Sequence, residues 1–157
     1  MERTTDISDK LHPNVQYLEP IYNNYGAKVN FSGIIETIKC FEDNSLVREA
    51  VASEGAGRVL VIDAGGSSRC AMFGDQLAAK AIGNGWEGVV VYGMIRDADV
   101  IEEMQIGIRA LGTHPLKSIK NGLGEKNLEV NFSGVRFLPG KYLYADLDGV
   151  IVVEEKI

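Results

Sequence analysis

The sequence predicts an α/β domain built on a mixed sheet. Two continuous apolar runs, at 58–63 and 88–92, are typical of strands that are covered on both faces. Between them, residues 73–82 carry apolar side chains at helical spacing and predict a crossover helix. Strand, helix and strand in this order predict a parallel, right-handed βαβ unit. The short apolar segments that follow, separated by glycine or aspartate, indicate a second half rich in strands.

Local signals place the elements that precede this unit. Helices are predicted over 4–11 and 44–53, strands over 28–31 and 34–40, and loops over 18–20 and 23–26. Asn44 is in position to cap the second helix. The Ser32-Gly33 pair between the two strands indicates a hairpin or a bent strand.

The crossover helix and the later strands are predicted in the same way. Leu77, Ala78, Ala81 and Ile82 form the apolar stripe expected to face the sheet. Strands are predicted over 106–111, 128–132, 135–138, 143–145 and 150–153. The tetrapeptide at 131–134 has the same sequence as the one at 30–33, which raises the hypothesis of an internal repeat.

Length, composition and charge exclude several classes of protein. A chain of 157 residues, 45% of them hydrophobic, is predicted to form one domain over 1–157. The net charge is −6 and no basic stretch is present, which argues against direct nucleic-acid binding but is compatible with a basic protein partner. No apolar run approaches the roughly 20 residues that cross a bilayer. The N-terminus also lacks the features of a signal peptide, so we expect a cytoplasmic protein.

Two segments are candidates for chemistry because the topology brings them to one edge of the sheet. Gly74, Asp75, Gln76 and Leu77 lie near the start of the crossover helix, and Arg96-Asp97 follows the next strand. Amide groups at a helix start favour an anion, and an arginine binds a carboxylate through two hydrogen bonds. An aspartate can supply one oxygen to Mg²⁺. Together these groups predict a site for a 2-oxo acid, although solvated or paired surface residues would give the same spacing.

The remaining polar motifs are interpreted as structural. The glycine-rich segment at 65–69 lacks the lysine of a phosphate-binding loop. The two cysteines have no metal-ligand spacing and are expected to be buried thiols. We expect no Schiff base on Lys117 or Lys120. We also expect no catalytic role for the other polar and aromatic candidates, which are Cys40, Cys70, His12, His114, Trp86, Glu102 and Glu103.

Several motifs along nearly the whole chain resemble one known family. They include Leu18-Glu19-Pro20, the segment from Lys39 to Asn44, and Gly57 to Val61. Gly65-Gly66-Ser67, Trp86-Glu87-Gly88, Asn131 to Val135 and Leu143 to Asp146 continue the match. On these residues the chain resembles the regulator of ribonuclease activity A (RraA-like) family, which is similar to the 4-hydroxy-4-methyl-2-oxoglutarate aldolases.

The resemblance implies a fold, an assembly and an activity. It implies a swivelling β/β/α sandwich that assembles as a homotrimer with sites between subunits. The implied activity is the metal-dependent cleavage of 4-hydroxy-4-methyl-2-oxoglutarate to two pyruvates through a pyruvate enolate, with oxaloacetate decarboxylation as a side activity. Mg²⁺ or Mn²⁺ is the implied cofactor. Gly74 to Leu77 and Arg96 would hold the substrate, and Asp97 would hold the metal and act with Arg96 in catalysis.

The sequence departs from the aldolase pattern at two places. The acid expected after Arg96-Asp97 would fall at Val100, with Asp99 or Glu102 as substitutes. The longer aldolases also use a C-terminal glutamate from a neighbouring subunit, a role that the resemblance assigns to neither Glu154 nor Glu155. The alternative implied by the resemblance is a regulator that binds and inhibits ribonuclease E.

Overall fold

A ten-stranded mixed sheet forms the centre of the structure, a computed structural model that describes residues 1–157. The helices are α1 (Thr4–Leu11), α2 (Ser45–Val51), α3 (Asp75–Gly83) and α4 (Ala98–Ile101). The strands are β1 (Gln16–Tyr17), β2 (Asn23–Tyr25), β3 (Phe31–Lys39), β4 (Arg58–Asp63), β5 (Ala71–Phe73), β6 (Gly88–Ile95), β7 (Gly107–Thr113), β8 (Glu125–Lys126), β9 (Val130–Phe132), β10 (Val135–Phe137), β11 (Tyr142–Asp146) and β12 (Gly149–Val153).

The strand order shows a parallel centre between antiparallel flanks. Along the main path the order is β1-β12-β11-β3-β4-β6-β7-β2. Strands β3, β4, β6 and β7 are parallel to one another, whereas β11, β12, β1 and β2 pair antiparallel. β5 pairs with β6 and β8 pairs with β3, and β9 with β10 forms a separate hairpin. The predicted mixed sheet and the parallel β4–α3–β6 unit are therefore confirmed.

The sheet is covered on both faces, which explains its continuous apolar strands. On one face, α2 and α3 place Val47, Val51 and Ala78 against Leu60 and Ile62 of β4. On the other face, the separate β9–β10 hairpin covers Val59 and Val61 of β4, in one apolar cluster with side chains of β11 and β12. The side chains of β4 from Val59 to Asp63 are consequently all buried, as expected for a strand inside an α/β sandwich.

The ring of Phe31 packs against two glycines of the central strands. It lies over Gly88 and Gly107, which are paired with each other on β6 and β7. A Cβ atom built on either glycine would lie 2.2 Å from a carbon of the Phe31 ring. The ring occupies the space next to both glycines, so a larger residue at either position would clash with it.

Most predicted elements are confirmed, some with shifted ends. The helix over 4–11 and the strand over 58–63 have the predicted bounds. The predicted crossover helix begins later, because Phe73 belongs to the short strand β5, and Ile82 is 36% exposed rather than part of the buried stripe. The second helix covers only Ser45–Val51.

Several interpretations were wrong. The loop predicted over 23–26 contains strand β2, and of the strand predicted over 28–31 only Phe31 lies in a strand. Of the two alternatives for Ser32-Gly33 the hairpin is excluded, since both residues lie inside the continuous strand β3, where Gly33 is close to the backbone of Arg58. The repeat hypothesis fails because the second tetrapeptide forms the tight turn of the β9–β10 hairpin. Asn44 precedes α2 but does not cap it, and the carboxylate of Asp43 accepts the hydrogen bonds of Ser45 instead.

Several structural assignments agree with the sequence analysis. Cys40 and Cys70 are free thiols, and both are buried. Trp86 is buried, packs against Gly55, and donates its indole N–H to the carbonyl of Ser53 at 3.1 Å. No helix has the length and apolarity needed to cross a membrane.

We predict that Gly107→Ala destabilises the fold, because its new methyl group would meet both the Phe31 ring and the backbone carbonyl of Lys28. Overpacking of this kind costs about 1–3 kcal/mol. Urea unfolding measures the change. Gly83→Ala is the matched control, since nothing lies within 4 Å of its added Cβ. Equal stability of the two variants would contradict the proposed role of Phe31.

Candidate functional site

The six residues that the sequence singled out line one cavity. Gly74, Asp75, Gln76, Leu77, Arg96 and Asp97 meet where β5 and β6 end and α3 begins. The cavity has a volume of about 360 Å³, within the range of roughly 300–1,000 Å³ found for small-molecule sites. The carboxyl ends of parallel strands account for this convergence.

Asp97 is held at the N-terminus of α3. Its backbone is left-handed, with φ of 60°, a conformation that aspartate tolerates better than most residues. One carboxylate oxygen, Oδ2, accepts the Asp75 backbone N–H at 3.1 Å. The hydrogen bond joins the start of α3 to the segment that follows β6.

Gly74 allows Arg96 and Asp97 to approach the chain. A Cβ on Gly74 would lie 2.7 Å from Asp97 Oδ2 and 3.4 Å from Arg96 Cγ. The backbone of Gly74 is extended, so any residue could adopt its conformation. The reason for glycine is therefore space, since a side chain here would displace the aspartate or the arginine.

An anion-binding corner lies beside Asp97. The backbone N–H groups of Gln76 and Leu77 have no acceptor within the chain. Arg96 is half-buried, and its Nη1 makes only a long hydrogen bond of 3.4 Å to the carbonyl of Pro115. The guanidinium and the two amides can therefore bind a carboxylate. The side chain of Leu77 packs in the core, so its contribution to the cavity is its amide.

Four further lining residues form the opposite wall, and the sequence analysis assigned none of them to the site. Asn44 and Arg48 come from the start of α2, and Lys117 and Lys120 come from the loop after β7. Both lysines are exposed to solvent. Their position after a neighbouring parallel strand was the signal that could have identified them.

A buried carboxylate holds this wall together. Asp43 is fully buried and accepts hydrogen bonds from the hydroxyl and N–H of Ser45 and from the N–H groups of Asn121 and Leu123. Burial opposes ionisation of Asp43, but these hydrogen bonds outweigh it and lower its pKa to about 2. The ionised side chain therefore fixes the loop that carries Lys117 and Lys120.

The donor set fits a divalent cation that keeps most of its water. No cluster of three His, Cys, Asp or Glu side chains is present in the chain, so an all-protein metal cage does not fit. Asp97 keeps its Oδ1 free of hydrogen bonds within the chain, and Asp75 lines the same cavity. Mg²⁺ is commonly held by one or two carboxylates together with water and substrate, and these residues match that pattern.

The residues considered as substitutes for the missing acids lie outside the cavity. Val100 is 50% exposed, and Asp99 and Glu102 are exposed. Glu154 pairs with Lys141 and lines a different cavity near β1 and β12. Within one chain, the structure therefore brings no further glutamate to Asp97.

The other polar motifs have structural partners. In the glycine-rich loop, Ser67 donates a hydrogen bond to Glu42 at 2.6 Å, and Arg69 pairs with the same carboxylate. The hydrogen bonds from Arg69 and from Ser67 lower the pKa of Glu42 to about 2. His114 accepts the N–H of Leu116 through Nδ1 at 3.1 Å. These contacts agree with the structural interpretation of those motifs.

Proteins of known family match almost the entire chain. The RraA-like family, described as Aldolase/RraA, matches residues 4–152. A protein of Hahella chejuensis is 51% identical over 154 residues, which are 98% of this chain and 94% of that protein. It bears the provisional name 4-hydroxy-4-methyl-2-oxoglutarate aldolase.

Two crystal structures superpose closely on this one. The RNA-processing inhibitor RraA from Thermus thermophilus has a TM-score of 0.97 and 43% identity, covering 100% of this chain and 95% of its own. A Geobacillus kaustophilus protein named S-adenosylmethionine: 2-dimethylmenaquinone methyltransferase also has a TM-score of 0.97, with 45% identity over 99% of this chain and 97% of its own. The predicted α/β fold with a mixed sheet is thereby confirmed.

We predict that Asp43→Asn destabilises the protein at neutral pH by about 1–3 kcal/mol, because an amide cannot accept all of the buried N–H groups. The pKa of Asp43 is lower in the folded protein than its ordinary value of 3.8, so the ionised carboxylate stabilises the wild type at a pH above that value. This contribution to the free energy of unfolding is lost as the pH falls towards about 2. The difference in the free energy of unfolding between the variant and the wild type should therefore become smaller below about pH 4. Urea unfolding across this pH range measures it, with Asp9→Asn on exposed α1 as control. A difference that is independent of pH would contradict the role of the carboxylate.

Proposed function

The chain belongs to the RraA-like family, and from this membership and the cavity we propose that the protein is a lyase for 4-hydroxy-4-methyl-2-oxoglutarate. The products would be two molecules of pyruvate. The observation that carries the proposal is the placement of Asp97, with one free carboxylate oxygen, beside Arg96 and the open N-terminus of α3. Oxaloacetate, which has the same 2-oxo acid end, would be decarboxylated at the same site as a side activity.

The residues of the chain hold the substrate by its 2-oxo acid end. Arg96 would bind the carboxylate through its guanidinium, and the amides of Gln76 and Leu77 would complete the contact. Because Gly74 has no side chain, the space beside Asp97 stays accessible to the oxo group of the substrate. The interaction orients the bond to be cleaved relative to the carboxylate of Asp97.

Asp97 would hold a divalent cation through Oδ1, and Asp75 lines the same cavity. Such a cation supplies Lewis acidity, which polarises the oxo group. Mg²⁺ and Mn²⁺ both suit a site of carboxylate and water ligands. The hydrogen bond from Asp75 N–H to Oδ2 fixes the carboxylate and leaves Oδ1 free of hydrogen bonds within the chain.

The composition of the cavity favours a small anion over the methyl donor that appears in one relative's name. Four basic residues line it against two acidic ones, and three of the twelve lining residues are hydrophobic. The sulfonium of S-adenosylmethionine is a cation, and its adenine requires an apolar or aromatic slot. A 2-oxo acid matches these walls better.

Binding of a ribonuclease is the second candidate, and the charge distribution favours it. Outside the cavity lie twelve of the sixteen basic residues and twenty of the twenty-two acidic residues. Three of these acidic residues and one of these basic residues, Asp43, Asp63, Asp146 and Arg109, are buried. The remaining surface outside the cavity therefore has six more acidic than basic residues, and it would be complementary to a basic segment of a partner such as ribonuclease E. One crystal structure with the same fold is named an RNA-processing inhibitor.

We predict that Asp97→Asn abolishes metal-dependent cleavage. The amide still accepts the Asp75 N–H but binds a divalent cation poorly, so the fold is kept and the metal is lost. Steady-state kinetics and Mn²⁺ binding by electron paramagnetic resonance are the two readouts. Asp99→Asn, which changes an exposed carboxylate two residues away, is the control. Wild-type Mn²⁺ affinity in Asp97→Asn would overturn the metal assignment.

For the second candidate, we predict that the protein binds a basic peptide from ribonuclease E at low ionic strength. The affinity should fall steeply as salt is added, because the attraction is between exposed charges. Fluorescence anisotropy of the labelled peptide measures it. Asp97→Asn should bind equally well, since Asp97 lies inside the cavity. Absence of binding at low salt would exclude this role for the peptide tested.

A further inference from the structure

A second cavity, separate from the one that contains Asp97, is lined by a buried arginine. It lies between β2, β7 and the turn that joins β11 to β12, and it has a volume of about 320 Å³. It shares no lining residue with the cavity of Asp97. Arg109 of β7 lines it and is only 2% exposed. We call it the Arg109 cavity, and its charged lining residues are Glu19, Arg109, Asp146 and Asp148.

The guanidinium of Arg109 has no anionic partner in the chain. Its Nη2 donates to two backbone carbonyls, that of Val29 at 2.7 Å and that of Asp146 at 3.1 Å. Its Nη1 is buried and has no hydrogen-bond partner. The guanidinium carbon lies 5.1 Å from the centre of the Phe31 ring, which favours a cation but accepts no conventional hydrogen bond. A buried charge with an unused donor is costly, which indicates an acceptor that the chain does not supply.

The buried carboxylate in this cavity is already engaged. Asp146 accepts the N–H of Thr4 at 2.8 Å, the hydroxyl of Thr4 at 2.7 Å and the N–H of Asp148 at 2.9 Å. Burial lowers the pKa of Arg109 to about 10, against the opposing attraction of Asp146. Arg109 is therefore charged at neutral pH but has no direct counter-ion.

Two exposed carboxylates lie at the mouth of the Arg109 cavity. Glu19 and Asp148 line it, are exposed to solvent and take part in none of the eight salt bridges. Because Arg109 is buried, the cation lies at the base of the cavity and the two carboxylates lie nearer the solvent. They would repel a simple anion, whereas a ligand that carries both signs of charge would match the base and the mouth together.

We propose that the Arg109 cavity binds a free basic amino acid. The carboxylate of the ligand would accept a hydrogen bond from Arg109, and its two cationic groups would face Glu19 and Asp148. One carboxylate and two cations in the ligand thus match one cation and two carboxylates in the protein. The proposal is independent of the lyase reaction and of ribonuclease binding, because it uses no residue of the cavity of Asp97.

The test compares lysine with cadaverine, which is lysine without its carboxyl group. Attraction by exposed carboxylates alone would favour cadaverine, because it has the larger net positive charge. Binding of a carboxylate by Arg109 would favour lysine instead. We expect the wild type to bind lysine about tenfold more tightly than cadaverine in calorimetric titrations, as a charged hydrogen bond implies. Equal affinity, or tighter binding of cadaverine, would overturn the proposal.

Two variants test the two ends of the cavity. Arg109→Met removes the buried charge and should abolish the preference for lysine, with thermal unfolding as the check on the fold. The double variant Glu19→Gln/Asp148→Asn changes only exposed side chains and should bind lysine about tenfold more weakly than the wild type. Asp99→Asn, an exposed carboxylate outside the cavity, is its matched control. Undiminished lysine affinity in the double variant would contradict the proposal even if Arg109→Met does not fold.

Two further controls identify the site and the ligand. Arg96→Ala should keep the preference for lysine, and loss of the preference there would place the lysine carboxylate in the other cavity and overturn the proposal. Nα-acetyl-lysine keeps the carboxylate and the side-chain cation but has no α-ammonium group, as in the last residue of a polypeptide. It should bind about threefold more weakly than lysine. Equal affinity for both would contradict a free amino acid as the ligand.

Discussion

The site depends on the common direction of four neighbouring strands. Because β3, β4, β6 and β7 are parallel, their carboxyl ends meet at one edge of the sheet, and the loops that follow them are neighbours. The segment after β3 carries Asp43 and Asn44, the segment after β6 carries Arg96 and Asp97, and the loop after β7 carries Lys117. Residues separated by more than 70 positions in the chain thus form one cavity. The antiparallel strands at the flanks complete the sheet without entering this edge.

The parts of the fold that could be predicted from the sequence are those with strong local periodicity. Strand β4 is apolar from Val59 to Ile62 because both faces are covered, and α1 has the pattern of an amphipathic helix. The strands β1, β2, β5 and β8 contain only two or three residues each, too few to show a period. Their existence depends on pairing with distant segments, which local sequence does not encode.

The same distinction applies to the site. Gly74 and the Arg96-Asp97 pair were found because they flank a recognisable βαβ unit and match the pattern of a family. Lys117 was missed as a lining residue because its loop reaches the cavity through the buried carboxylate of Asp43, a contact across more than 70 residues. Asp97 has a left-handed backbone conformation, which residues other than glycine rarely adopt. Such unfavourable local conformations are expected at binding sites, where the position of a side chain matters more than local stability.

The uneven placement of charge governs how a ligand approaches the molecule. An anion far from the protein meets the repulsive field of a surface dominated by carboxylates, while the mouth of the cavity presents exposed lysines. At physiological ionic strength the field extends only about 8 Å, so repulsion acts close to the surface and the attractive region is confined to the opening. Anionic ligands would consequently be guided towards a single entrance. Raising the salt concentration would lower their association rate and leave the rates of the steps after binding unchanged.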